Sequence, residues 1–498
     1  MDDNRALTKF EEGSIKELWT IALPLMISSL ASLLMIFVDR CFLARLSLAA
    51  LNASVNAGTL AWAFLGGFGV LTVMSEVFVA QYNGAKLYSK LGEPVWQMIW
   101  FSIFSTAIFV PLGLFFGPMF FKNTLYATLQ VQYFGYLMVF GSFYPLMTAF
   151  SGFFIGRGQT RFLIYIAIIA NFVNLMLDWI LIFGVKGLVS PMGIKGAAVA
   201  TCIGTIFQAV ILGFIFFKKV NRENYGTTKF AFNFQVFKNC IRVGLPPAVF
   251  FTLEIVGWTL FFMMMTSLGE VHITISSICQ SIVILLSFFF EGLNRAVAAL
   301  AANFIGSKKI DLIHRLLKSS VKLIIAFTVI VSVFLVFDPK IIVDFLIPGS
   351  VDNQILFWQT ASGFSFYFIL KLCLFCVFVY LFFQGIRWTF AGLLTAAGDT
   401  LFLLIAGSLS VWLFLLLPVY FIVVKFSLAV QYAWILAAGY ALVLSAIYWF
   451  RYKSGKWKSM VLIPEKQTAE ENPSLEENPA IIEEENTLDE NIDNNEEA

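Results

Sequence analysis

IIANFVNLMLDWILIFG, residues 168–184, is apolar enough to form the middle of a membrane helix, yet it carries Asn171, Asn174 and Asp178. These three lie at i, i+3 and i+7, so a helix places them along one narrow face. An aspartate near the bilayer centre costs roughly 2.5–3.5 kcal/mol on insertion scales. That face therefore needs a proton, a cation, an opposite charge or a water-filled cavity beside it.

The rest of the chain extends this reading. Of its 498 residues, 59% are hydrophobic and 13% charged, with a mean hydropathy of +0.83 and 56 Phe and 12 Trp. Apolar runs of roughly 20 residues, each long enough to cross a hydrocarbon core, recur along nearly the whole length. The pattern predicts an all-α membrane protein of about twelve transmembrane helices, centred near residues 30, 68, 108, 143, 173, 206, 256, 285, 326, 380, 412 and 440.

Several function classes lose support at this level. No G-x-x-x-x-G-K-[ST] phosphate loop is present, which argues against direct use of nucleotide energy. His272 and His314 are far apart, so no zinc site is suggested, and no nucleophile motif points to an enzyme. Cys373 and Cys376 form a C-x-x-C inside an apolar run, a spacing that reads as helix packing there. No cofactor and no nucleic-acid partner are expected. The expected partners are the lipid bilayer and a small organic solute, bound by a monomer.

Charge is distributed unevenly. From Glu465 onward the chain holds 13 acidic residues and one lysine, leaving 32 basic against 18 acidic residues before it. This end reads as an acidic, disordered tail. Basic residues cluster in alternate loops: Arg5, Lys9 and Lys16, Lys86 and Lys90, Arg157 and Arg161, Lys218 to Arg242, Lys308 to Lys318, and Arg451 to Lys458. The positive-inside rule then places both termini in the cytoplasm of a multi-pass protein, with a bacterial inner (plasma) membrane as the expected location.

The basic stretch 218–244 divides the chain into two halves that echo one another. IALPL (21–25) is matched by VGLPP (243–247), VAQYNGAK (79–86) by LAANFIGSK (300–308), and GRGQT (156–160) by AAGDT (396–400). An internal duplication in one orientation predicts two pseudo-symmetric six-helix bundles around a central cavity. The expected parts are an N-terminal cytoplasmic segment (1–13), an N-terminal bundle (14–217), a cytoplasmic connecting loop (218–242), a C-terminal bundle (243–453) and the acidic tail (454–498).

From Gly13 to Trp457 the chain resembles the multidrug and toxic compound extrusion (MATE) family. The carriers are GSIKELWTIALPLMISSLASLLMIFVDRCFLARL (13–46), VAQYNGA (79–85), GRGQTR (156–161), NFVNLMLDWILIFG (171–184), GIKGAAVAT (193–201) and GLPPAVFFTLE (244–254). The resemblance implies two helix bundles around a cavity that opens alternately to either side. It also implies that Asp39, Asn174, Asp178 and Thr201 form a polar cluster in the N-terminal bundle that takes up a proton or a sodium ion. Two carboxylates can share a proton, and with an amide and a hydroxyl they make a hard-oxygen set suited to Na⁺.

Asn171, Glu254, Glu76, Gln384 and Arg387 are weaker candidates for lining the substrate cavity. Glu254 matches a family carboxylate, whereas Gln384 stands where many relatives carry an acid, with Arg387 one turn on. Glu76 faces either the cavity or a packed helix. Glu291 and Arg295, at i and i+4, are expected to pair with each other. The expected function is secondary active efflux by alternating access, exchanging organic, often amphipathic and cationic, solutes for H⁺ or Na⁺. The alternative is a flippase or exporter of a lipid-linked or oligosaccharide substrate from the same wider superfamily.

Overall fold

The polypeptide enters its first helix through a reciprocal cap. Ser14 Oγ accepts from the Glu17 amide (3.2 Å), while Glu17 Oε2 accepts from the Gly13 amide (2.6 Å), so two free donors of the first turn are satisfied. From there α1 (Ile15–Leu46) runs unbroken through Pro24. The computed structural model describes residues 7–337, 366–460 and 462. Arg5 and all but the first residues of the acidic tail lie outside these.

The N-terminal half continues with α2 (Leu48–Thr72), α3 (Met74–Gly84), α4 (Gly92–Pro111), α5 (Gly117–Phe121), α6 (Ala127–Val139), α7 (Phe143–Gly156), α8 (Arg161–Phe183) and α9 (Ile194–Phe216). A short α10 (Lys219–Tyr225) leads to the second half: α11 (Phe234–Leu268), α12 (Glu270–Gly306), α13 (Asp311–Phe337), α14 (Phe366–Ala397), α15 (Thr400–Ser410) and α16 (Val430–Lys453). Among the described residues ten helical segments are long and apolar enough to span a membrane, and α6 with α7, bent by 42°, makes an eleventh. No β-strand occurs among them; the architecture is that of an all-α, multi-pass membrane protein.

The connection between the halves differs from the expected loop over 218–242. Helix α11 begins at Phe234, because Asn233 Oδ1 accepts from the amides of Gln235 (3.0 Å) and Val236 (3.3 Å) and starts the helix. The segment before it is strapped to α4. Trp96 and Trp100 donate their indole N–H groups to the carbonyls of Thr227 (2.9 Å) and Phe230 (3.1 Å), and Asn233 Nδ2 donates to Glu93 Oε1 (2.7 Å). The backbone groups of a polar linker thus find partners on the N-terminal half.

The halves meet at the end that carries both described termini. A Cβ on Gly84 would lie 2.1 Å from the Asn303 carbonyl oxygen, and one on Gly306 would lie 2.1 Å from that of Gln81, so only glycine permits this approach. These residues are repeat equivalents, 222 positions apart, as are the two proline motifs. The echo in sequence is therefore a contact in space: each half sets its glycine against the other's backbone.

The same end is fastened by Ser319 Oγ donating to the Gly13 carbonyl (2.8 Å), by the Lys309–Glu12 ion pair (2.7 Å) and by the Arg315–Glu11 pair. Moving away from it, Gly292 packs on the Met26 backbone and Trp62 on Phe251 (6.4 Å). Beyond this level one face of α12, with Glu291, Ile284, Ser281 and Ser277, is exposed. A carboxylate does not face lipid, so this stripe lines a cleft that opens at the end opposite the termini.

Asn233 both caps α11 and clamps it to α4. Asn233→Ala should lower stability by about 1 kcal/mol, read as a lower unfolding midpoint in detergent. Asn233→Asp, which keeps the cap but faces Glu93, should fall between the two.

Candidate functional site

The opening face of α8 meets its partners inside the N-terminal half. Asn174 (1% exposed) and Asp178 (0%) point away from lipid towards Asp39 on α1 (6%) and Thr201 on α9. Gly196 and Gly204 let α9 lie close against α8: a Cβ at Gly196 would strike the Leu181 backbone at 2.6 Å, and one at Gly204 would touch Asn174. The sequence GIKGAAVATCIGT is thus the small-residue face that brings Thr201 to the site.

With its amide nitrogen turned to the carboxyls, Asn174 donates to Asp39 Oδ1 and to Asp178 Oδ2, each at 3.2 Å, and its oxygen accepts from the Thr201 amide at 3.2 Å. Thr201 Oγ1 donates to Asp39 Oδ2 (3.4 Å) and to the Ala197 carbonyl (3.0 Å). The Asp39 and Asp178 carboxyls themselves stand in hydrogen-bonding contact. One carboxyl oxygen, Asp178 Oδ1, is buried without a protein partner.

A buried orphan oxygen beside a second carboxylate is chemistry that a proton or a small hard cation would complete. The donor set of carboxylate, amide and hydroxyl oxygens fits Na⁺. Among the described residues no group of three or more His, Cys, Asp or Glu side chains is arranged to hold a metal ion, so a transition-metal reading has no support. Asn171, half-buried one turn before Asn174, supplies none of the cluster's hydrogen bonds. Tyr133 on α6, 9% exposed, lies within electrostatic reach of both aspartates. No sequence signal marked it, because its helix reaches the site only through tertiary packing.

The weaker candidates separate into two places. In the C-terminal half, Arg387 (3% exposed) donates from Nε to Gln384 Oε1 (2.9 Å) and from Nη2 to Glu254 Oε1 (3.1 Å). Tyr380, Tyr440 and Tyr448 pack around this pair, and the Tyr440 hydroxyl is buried without a partner. Glu254 therefore already has a fixed cationic neighbour.

Glu76 lies elsewhere, on α3 at the junction of the halves, 1% exposed. Arg295 donates to its Oε2 from Nη2 (2.8 Å) and Nε (3.2 Å). This corrects the expected Glu291–Arg295 pair: the arginine reaches across to the other half. Glu291, an exposed residue, has Ser29 of α1 and Arg295 within electrostatic reach instead. Helical spacing alone favoured the i, i+4 partner; a buried carboxylate on another helix gains more from the charge. Tyr144 lies within electrostatic reach of Glu291 and Arg295, and Trp62 meets Tyr144 edge-on (5.5 Å).

A sequence model of the MatE family matches residues 24–180 and 246–421. The chain is 26% identical over 463 residues to a probable multidrug resistance protein NorM of Thermotoga maritima, covering 91% of this chain and 96% of the relative. It is 24% identical to the Photorhabdus laumondii protein of the same name, over 86% and 92% of the two chains. Solved structures share the fold. A MOP-superfamily transporter from Pyrococcus furiosus, described as having a binding pocket of reverse polarity, superposes with a TM-score of 0.75 at 17% identity over 92% of this chain and 99% of that one. An outward-facing MATE multidrug-resistance transporter gives 0.78 at 16% identity over 92% and 99%.

Removing Arg387 alone would leave Glu254 uncompensated. Arg387→Met should cost about 3 kcal/mol of stability, and the double variant with Glu254→Gln should recover most of it. Unfolding midpoints of the two singles and the double form the cycle that checks this.

Proposed function

The chain belongs to the MatE family of membrane transporters, and from that premise we propose that it is a secondary active exporter, exchanging organic solutes for H⁺ or Na⁺ by alternating access. The observation that carries this reading is the Asp39–Asn174–Asp178–Thr201 cluster, with its orphan oxygen at Asp178 Oδ1. The relatives' designation as multidrug resistance proteins supports efflux as the direction.

By the positive-inside rule, the basic residues of alternate loops support cytoplasmic termini in a bacterial inner membrane. The arrangement described above is then the outward-open one, sealed on the cytoplasmic side. Solute binds in the cleft between the halves, where Trp62, Tyr144 and the accessible Glu291 suit an amphipathic organic cation. The ion enters the N-terminal half. Its uptake drives release only to the extent that it binds one access state better than the other, so the cluster must change shape as the helices move. Pro24, which lacks an amide proton, makes α1 the helix most able to bend between Asp39 and the sealed end.

Coupling belongs to the N-terminal half alone in this reading. Glu254 is held by Arg387, and Gln384 cannot carry charge, so this pair offers no free carboxylate for an ion cycle.

Asp39→Asn and Asp178→Asn should insert at normal abundance, since an amide is cheaper than a carboxylate in the membrane. Each should lose efflux driven by a pH or Na⁺ gradient in sealed vesicles, and wild-type rates in both would remove the cluster from the mechanism. Glu254→Gln should shift substrate range or affinity while gradient dependence persists. The ion is identified by stability: a bound ion raises the unfolding temperature with its concentration, so Na⁺ titration of detergent-solubilised protein against choline distinguishes Na⁺ from H⁺.

A further inference from the structure

Arg295 stands where the sealed end of the two halves meets the cleft, and it breaks their symmetry. The glycine contacts occur once from each side, but at the same 222-residue offset Arg295 corresponds to Val73 and Glu76 to Ala298. The charge pair is therefore a feature of one position only. Its two partners also differ in solvent access: Glu76 is 1% exposed and the Arg295 side chain 23%. Glu76 Oε1 has no partner, so the guanidinium holds only one of the two carboxylate oxygens.

One turn back along α12, on the arginine's own helix, the exposed residue Glu291 carries a second carboxylate within electrostatic reach of Arg295. Tyr144 lies within electrostatic reach of both groups. Arg295 thus has two acidic neighbours, one on the other half and one that moves with it.

We propose that Arg295 is an interlobe latch that exchanges carboxylates: it holds Glu76 while the terminal end is sealed and passes to Glu291 when α3 and α12 part. Separation of the helices would otherwise strand a guanidinium in a partly buried position, at high cost. Glu291, at i−4, is within reach without movement of the backbone. Glu76, for its part, is wetted by the path that opens. Binding of Arg295 to Glu76 favours the sealed arrangement, and binding to Glu291 favours its alternative. The two carboxylates therefore act on the access equilibrium with opposite sign, which no purely structural role for either would produce.

The inference rests on the export reading only for the relative motion of the halves, and its test uses neither solute nor ion gradient. Asn303 sits in the seam, 9% exposed, with its Nδ2 donating to the Ala80 carbonyl (3.3 Å). Cys41 is the one exposed cysteine among the described residues, so Asn303→Cys in a Cys41→Ser background reports opening of the seam through its rate of maleimide labelling in detergent. Glu76→Gln should raise that rate about tenfold, equivalent to about 1.4 kcal/mol in the access equilibrium, and Arg295→Met, which removes both pairings, should shift it less. Glu291→Gln should lower it below the background rate.

Unfolding midpoints establish that each variant is folded, and the two conservative Glu→Gln changes carry the test if Arg295→Met does not accumulate. An unchanged rate in Glu76→Gln, or a rate in Glu291→Gln that stays constant or rises, overturns the latch. Absence of labelling in every variant overturns both the latch and the lobe motion beneath it. Loss or survival of gradient-driven efflux in Asp178→Asn is read in a separate assay and is unaffected by any of these outcomes.

Discussion

An ionised side chain cannot stand alone in a hydrocarbon interior, and the arrangement of this protein follows from how that cost is met at four places. Asp39 and Asp178 face each other, with Asn174 and Thr201 filling most of their remaining hydrogen-bonding capacity. Glu76 is met by Arg295 and Glu254 by Arg387. At the terminal end Asp399 receives Arg451 at 2.6 Å. Only the first of these has no positive side chain. Its charge is therefore left to be met by something other than a cationic side chain, and the proposed ion site rests on this difference from the three ion pairs.

The glycine seam sets the other half of the mechanism. Gly84 and Gly306 allow backbone to approach backbone so closely that the contact is either made or lost, with little room for intermediate spacing. Packed interfaces of this kind are bistable. A charge pair at the rim of such a seam can bias its equilibrium strongly, because the pair exists only while the seam is closed. The N-terminal segment adds Glu11, Glu12 and Gly13 to the same surface, so the whole face carrying the termini acts as one closure. The interlobe segment does not hinge freely: bonds from Trp96, Trp100 and Glu93 hold it to α4, so relative motion of the halves is concentrated at the start of α11.

The C-terminal half shows how one substitution of residue type redirects a duplicated scaffold. A carboxylate with a free neighbour can bind a proton or cation and let it go. A carboxylate held by a buried guanidinium already has its charge partner. The two halves therefore share packing without sharing chemistry, and the proposed coupling in the N-terminal half rests on the asymmetry between Asp178 and Glu254.

The sequence alone determined the membrane class, because apolar runs of spanning length leave no other solution, and it determined the duplication, because the proline and glycine motifs recur in order. It also held the polar cluster, because Asn174 and Asp178 are polar at helical spacing in a segment where polarity is costly. Tertiary structure alone decided which charges meet. Arg295 has an acidic residue four positions away on its own helix, and local spacing favours that partner; the fold brings Glu76 nearer, from more than two hundred residues away in the chain. Tyr133 and the pairing of Trp62 with Tyr144 were likewise invisible, since an aromatic residue in an apolar helix looks the same whether it faces lipid or a site. Local periodicity records the cost of burying a group, but the identity of its partner depends on helix packing that no single segment encodes.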